Sequence, residues 1–280
     1  MTGVFRSDSG KRKLDERYHA YLRGWEVTAE HRLIPTRHGQ TFVVACGVDE
    51  APPAVLLHGA GTNSTIWFAD AALWSRTRRV YLVDVIGEPG LSAPSRPPLA
   101  SDAYAGWLDD VLDGLGVARA AFVGASLGGW LATDFAIRRP DRVERLALRA
   151  PGGIGRQRHA AVIAALLLMP FGERGRRLAL RNALGVSLPL DDEFLGYLAC
   201  IQKHYRPRRD PLPMFTDRQL RGLSAPLRVT VGARDRMLDS RQTRVACAGW
   251  YRRPSSRHCP TPGTPSRPTA RPSTGSSTKE

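Results

Sequence analysis

Short apolar runs alternate with longer amphipathic stretches along most of this chain. The strand-like runs are Ala54-Val55-Leu56-Leu57, Val80 to Val85, Ala120 to Val123, Val143 to Leu148 and Leu227 to Val231. Between them, Asn63 to Trp74, Ser101 to Leu115 and a segment beginning near residue 127 have the length and spacing of helices. Runs that are apolar on both alternating faces belong to strands covered on both sides, as in a parallel sheet flanked by helices. The pattern therefore predicts an α/β fold, a doubly wound, mostly parallel sheet.

Two departures frame this rhythm. Near the N-terminus, Leu14 to Leu22 reads as an amphipathic helix, and Trp25 to Ile34 and Thr41 to Cys46 read as a β-hairpin joined by a Thr-Arg-His-Gly turn. From 154 to 218 no strand-like run occurs; helical pieces at Ala160 to Met169, Gly175 to Leu184 and Asp191 to His204 are punctuated by Gly and Pro, which predicts an inserted helical cap. The expected organisation is a core of residues 1–153 and 219–245, a cap of 154–218 and a tail of 246–280. Of the 35 tail residues, 20 are Pro, Ser, Thr or Gly and none is Leu, Ile, Val, Phe or Met, so the tail has too little apolar surface to offset the entropy of ordering and is expected to be disordered.

The formal net charge of +15 raises the question of nucleic acid. Of 41 basic residues 37 are Arg, scattered through every segment, and no helix-turn-helix, RNP-like or zinc-finger pattern accompanies them, so no nucleic-acid partner is expected. The bias resembles that of a GC-rich coding sequence. No run approaches the roughly 20 apolar residues of a membrane span, and Met1 to Arg17 lacks a signal-peptide core. Cys46, Cys200, Cys247 and Cys259 are widely spaced, without a C-x-x-C pair or zinc-like His spacing, and read as reduced thiols. A soluble, cytoplasmic protein without membrane or metal is the expectation.

The candidate chemistry begins at Gly124-Ala125-Ser126-Leu127-Gly128. G-x-S-x-G alone is a weak signal; its place between an apolar strand and a helix gives it weight. Where a strand turns into a helix with almost no loop, the central serine is held strained and exposed, and bulk two positions to either side would strike neighbouring backbone. The turn lifts the hydroxyl to the carboxyl edge of the sheet, at a helix N-terminus whose N–H groups favour an anion. Ser126 is thus a candidate nucleophile; the bland alternative is an ordinary tight turn. His58-Gly59-Ala60-Gly61 closes the first of the central strands. It could supply a fixed backbone donor for an oxyanion, and the amides of Ala60 and Leu127 are the candidates. A phosphate-binding loop is the rival, but the Gly-Lys-Ser/Thr ending is missing. His58 reads as a structural residue at a strand end.

With these pieces in view, the chain resembles an α/β-hydrolase-fold serine esterase, similar to small bacterial carboxylesterases. The resemblance rests on "VLLHGAGTNSTIWF" at 55–68, "VYLVDVIGEPGLSAPS" at 80–95, "FVGASLGGWLATDFAIRRPDRVERLAL" at 122–148 and "VTVGARDRML" at 229–238, and covers roughly residues 25–245. It implies a chain order of nucleophile, acid and histidine, with a helical cap after the sixth strand. Asp235 then takes the acid position, with Asp239 as its neighbour and rival, and His258 is the one histidine C-terminal to it. Serine at the elbow separates this chain from the dehalogenases and epoxide hydrolases of the same fold, which carry Asp there.

His258 stands in "SSRHCPTPGTP", with no apolar run before it to form a last strand. A disordered loop cannot hold an imidazole to the tolerance of proton transfer. Either the tail belongs to a degenerate hydrolase, or it is an out-of-frame reading of a GC-rich gene, the account favoured here. His159 and His204 in the cap are expected at the surface or the pocket entrance, and His31 and His38 in the hairpin. The resemblance implies cleavage of a small-molecule carboxylic ester through an acyl-enzyme, without cofactor. The Ala-, Leu- and Met-rich cap would suit a medium acyl or aromatic ester. The alternative is a catalytically impaired or ligand-binding protein, and a peptidase or C–C hydrolase on the same scaffold is a further possibility.

Overall fold

The computed structural model describes residues 3–155 and 192–231, with isolated positions between 172 and 178. Asp235, Asp239, His159, His258, the helical piece expected at 160–169, most of that at 175–184 and the tail from 246 lie outside the described residues.

Among the described residues, seven strands form one sheet: β1 (Ala29–Thr36), β2 (Gly39–Gly47), β3 (Pro53–Leu57), β4 (Arg79–Val83), β5 (Ala120–Ala125), β6 (Val143–Arg149) and β7 (Leu227–Thr230), in the spatial order β1-β2-β4-β3-β5-β6-β7. β1 and β2 form the expected antiparallel hairpin, β2 also runs antiparallel to β4, and every pairing from β4 to β7 is parallel. The helices are α1 (Asp8–Gly24), α2 (Phe68–Trp74), α3 (Ala103–Gly114), α4 (Leu127–Arg138), α5 (Asp192–His204) and α6 (Asp217–Arg221).

Alternation along the strands explains why they are apolar throughout. Val43, Ala45, Val55, Leu57, Tyr81, Val83 and Phe122 face one core, shared with Trp107 and Leu108 of α3 and Trp130, Leu131 and Phe135 of α4. Their neighbours Phe42, Val44, Cys46, Ala54, Leu56, Val80, Leu82 and Val123 face a second core, shared with α1, α5 and Ala71 of α2. Each successive side chain points to the opposite face, so helices on both sides require apolar residues at every position.

α1 starts earlier than the apolar spacing indicates, because Ser7 caps it by accepting from the Gly10 N–H at 3.0 Å. Its buried residues, Gly10, Leu14, Tyr18 and Leu22, recur every fourth position and form one narrow stripe. The helix expected over 63–74 divides into a 3₁₀ turn, Ser64–Trp67, and α2. Its first turn is bound to the sheet: the Ser64 N–H and O–H both donate to the buried Asp84 carboxylate, which also accepts from Tyr18 O–H and Leu91 N–H. Within the stretch expected to be a cap, α5 lies on the second core against α1, with Tyr21 of α1 edge-on to Phe194 and tilted against Tyr197. After α5, Tyr205 bridges to Phe5, and Arg6 N–H donates to His204 O while Arg206 N–H donates to Val4 O. The apolar pattern gives no sign of α6. Among the described residues no helix is long and apolar enough to cross a membrane.

Candidate active site

β3 is paired with β4 on one side and β5 on the other, so the chain changes winding direction there. In such sheets the crevice outside the carboxyl ends at this point is where ligands bind. Leu57 and Gly124 are partners in the β3–β5 ladder, and the chain leaves each strand within two residues, through His58-Gly59-Ala60-Gly61 and through Ser126. A methyl built on Gly59 would lie 3.5 Å from Ser126 Cβ, so the loop and the serine face each other across the crevice.

Ser126 is the only residue between β5 and α4, and has φ 48° and ψ −108°. A side-chain-bearing residue enters such a region at a cost of order 1–3 kcal/mol, tolerated only where surrounding bonds overdetermine it. Those bonds are present. Its N–H donates to the Arg149 carbonyl at 3.0 Å, and its own carbonyl accepts from Trp130 N–H at 3.0 Å and Gly152 N–H at 3.1 Å. The flanking glycines are sterically required: a Cβ at Gly124 would collide with the Gly128 carbonyl, and one at Gly128 with the carbonyls of Leu57 and His58. Ser126 is half-buried, Ala60 is exposed, and Leu127 is buried as the first residue of α4, where backbone N–H groups have no partner within the helix.

His58 is fully buried and committed to backbone at both ring nitrogens. The Val85 N–H donates to Nε2 at 2.9 Å, so the proton sits on Nδ1, 2.9 Å from the Gly59 carbonyl. Burial pushes its pKa below the usual histidine value, favouring this neutral form. The imidazole thus ties the end of β3 to the end of β4. The Gly59 carbonyl also accepts from Thr62 Oγ1 at 2.7 Å. Because the peptide unit is planar and trans, holding that oxygen fixes the Ala60 N–H in the opposite direction. His204 sits at the end of α5 against Gly10 of α1, and His31 lies beside Phe42 on the hairpin.

The chain after α5 returns beside α4. Trp130, one turn into α4, donates through Nε1 to the Pro213 carbonyl at 2.8 Å and stacks on Phe215; Phe215 N–H donates to Gly153 O, and Leu212 packs beside Gly152. An apolar strip, Leu212 to Phe215, is thereby clamped next to the Ser126 backbone.

Of the site residues named from sequence, Ser126, Leu127 and Ala60 meet at the carboxyl ends of β3 and β5, while Asp235 and His258 lie outside the described residues. Glu88 escapes a reading of the sequence: it stands in Gly87-Glu88-Pro89-Gly90 and is 2% exposed, buried against the loop of residues 58–61. A lone charge between glycines just past a strand is its only local signal.

Residues 54–271 match the family described as Alpha/beta hydrolase family, a span that runs past the limit of residue 245 drawn from the motifs. The chain is 42% identical to an uncharacterized carboxylesterase, nap, of Bacillus subtilis over 145 residues, which are 52% of this chain and about half (48%) of that protein. It is 31% identical over 230 residues to carboxylesterase YbfK of the same organism, covering 79% of this chain and 77% of the relative. Among solved structures, naproxen esterase (carboxylesterase NP) from Bacillus subtilis aligns with TM-score 0.76 and 30% identity, over 87% of each chain.

Proposed function

Because the chain belongs to the alpha/beta hydrolase family, we propose that it hydrolyses a small-molecule carboxylic ester through an acyl-enzyme formed on Ser126. The observation that carries this reading is the Ser126 backbone, bent to φ 48° beside the Gly59-Ala60 loop and pinned by three hydrogen bonds. The carboxylesterase relatives support ester chemistry over other reactions of the fold.

In this scheme Ser126 Oγ attacks the acyl carbonyl and passes its proton to a histidine. The amides of Ala60 and Leu127 receive the charge that develops on the carbonyl oxygen, and they need no reorganisation at that moment. The protonated histidine then gives its proton to the leaving alkoxide, and water, deprotonated by the same histidine, resolves the acyl-enzyme. His58 is unsuited to this role, since both its ring nitrogens are engaged with backbone. The family match through residue 271 supports a tail read in frame, and in that case His258, oriented by Asp235, is the proposed base; if the tail is out of frame, the base is a histidine that this sequence does not contain. Residues 154–218 are proposed as the cap and 1–153 with 219–245 as the core.

Incubation with a fluorophosphonate probe and with a p-nitrophenyl ester, alongside Ser126→Ala, tests the reading. Labelling and turnover should be lost in the variant. Equal labelling or turnover in both proteins removes the nucleophile, and absence of both in the unaltered chain favours the ligand-binding or impaired alternative.

A further inference from the structure

We propose that Glu88 is a positioning residue for ester hydrolysis, holding the loop that carries the Ala60 amide and joining that loop to the chain that returns after α5. The inference rests on the Ser126 reading above and adds a residue to it. Three segments distant in sequence converge on one carboxyl oxygen. Glu88 Oε2 accepts from the Gly61 N–H at 2.7 Å and from the Tyr205 O–H at 2.7 Å. The Tyr205 ring is itself near the loop, its edge within 3.9 Å of where a Gly61 Cβ would stand.

Two peptide units flank Ala60. The Gly59–Ala60 unit is fixed by Thr62 Oγ1 and His58 Nδ1 on its carbonyl, and the Ala60–Gly61 unit by Glu88 on its N–H. Gly61 has φ +68° and no Cβ, so little local steric restraint opposes rotation of that second unit. The Glu88 carboxyl selects one orientation of it. Ala60, itself exposed, is then held through the peptide units on both sides.

A carboxylate so close to a developing oxyanion would oppose it if fully charged. Burial pushes the Glu88 pKa up, opposed by its bonds from Tyr205 and Gly61 and by the charges of Arg96 and Arg208. Arg96 lies over the Tyr205 ring at 5.3 Å and donates to Gly87 O at 3.0 Å; Arg208 donates to the Tyr104 hydroxyl oxygen at 2.7 Å. Both bonds to Glu88 are accepted by one oxygen, so a neutral acceptor of the same shape can make them, which separates its geometry from its charge.

The test compares Glu88→Ala, Glu88→Gln and Tyr205→Phe with the unaltered chain, using p-nitrophenyl ester kinetics and inhibition by a trifluoromethyl ketone, which forms a tetrahedral adduct on the serine. Losing an oxyanion donor outright costs about 10²–10³ in kcat, so loosening one should cost Glu88→Ala about 10–100-fold in kcat with little change in KM. Inhibitor affinity should fall in parallel. Glu88→Gln should restore kcat to within about threefold of the unaltered chain, because its amide oxygen can accept both bonds. Tyr205→Phe, which keeps the ring, gives a smaller kcat loss and serves if Glu88→Ala does not fold. Unchanged kcat in the folded Glu88→Ala or Tyr205→Phe protein, or a change confined to KM, overturns the positioning role while leaving Ser126 in place. Absence of Ser126-dependent turnover in the unaltered chain overturns both.

Discussion

Replacing Ser126 by glycine and by alanine should separate its chemistry from its backbone. Both substitutions remove the hydroxyl, so both should abolish ester turnover. They differ in one respect: alanine keeps a Cβ at φ 48° and ψ −108°, and glycine does not. Residues held in such regions carry about 1–3 kcal/mol of strain. Glycine gives part of that back through the greater freedom of its unfolded chain, about 0.5–1 kcal/mol. The difference leaves Ser126→Gly more stable than Ser126→Ala by about 1 kcal/mol. The ties of residue 126 to Arg149, Trp130 and Gly152 run through backbone atoms and persist in both variants, so they cancel in the comparison. Equilibrium urea unfolding followed by circular dichroism measures the difference, and a thermal scan should place the glycine variant about 2–4 °C higher. If the alanine protein is equally stable or more so, no strain is stored at residue 126, and the steric account of the turn at Ser126 is wrong.

Other substitutions probe the supports of the site. Gly128→Ala drives a methyl into the carbonyl of Leu57, held in the β3 ladder, and that of His58, held by the ring's bond from Val85, and should cost about 3 kcal/mol in a denaturant titration. Asp84→Asn turns an amide N–H₂ toward donors that the carboxylate now accepts, those of Tyr18 and Ser64 on one oxygen or that of Leu91 on the other, and should cost about 1–3 kcal/mol by the same measurement. Burial holds the His58 pKa below 6.5, so on acidification the unfolded chain takes up a proton that the folded state declines; stability falls as pH drops through 6.5 and levels off below the folded-state pKa. Unfolding free energies measured between about pH 7 and pH 5 should decline less steeply for His58→Gln, which has no ring to protonate.

The fold was legible because its signals are local. The runs at 55–57, 80–83 and 120–123 are apolar at every residue because helices cover both faces, and the ladders place them side by side at the centre of the sheet. The elbow was legible for the same reason: Gly124, Ser126 and Gly128 lie within five residues, and their steric requirement is met by the backbone they themselves form and by the neighbouring end of β3. α6 could have been found too, since Thr216 and Gln219 make a capping box, but with five residues it has too little apolar periodicity to show.

What the chain alone determined is therefore the order of the strands and of most helices among the described residues, and the serine at the tight turn between β5 and α4. Tertiary structure decided which distant groups meet around it. Nothing in the sequence near Glu88 points to Gly61 or Tyr205, which lie 27 and 117 positions away, yet all three share one buried oxygen. Nor does the sequence near His58 say that Val85 will take its free nitrogen and remove it from proton transfer. Periodicity and turn chemistry act over a few residues, whereas a buried polar atom must find its partner wherever folding brings one, and that choice is made by packing.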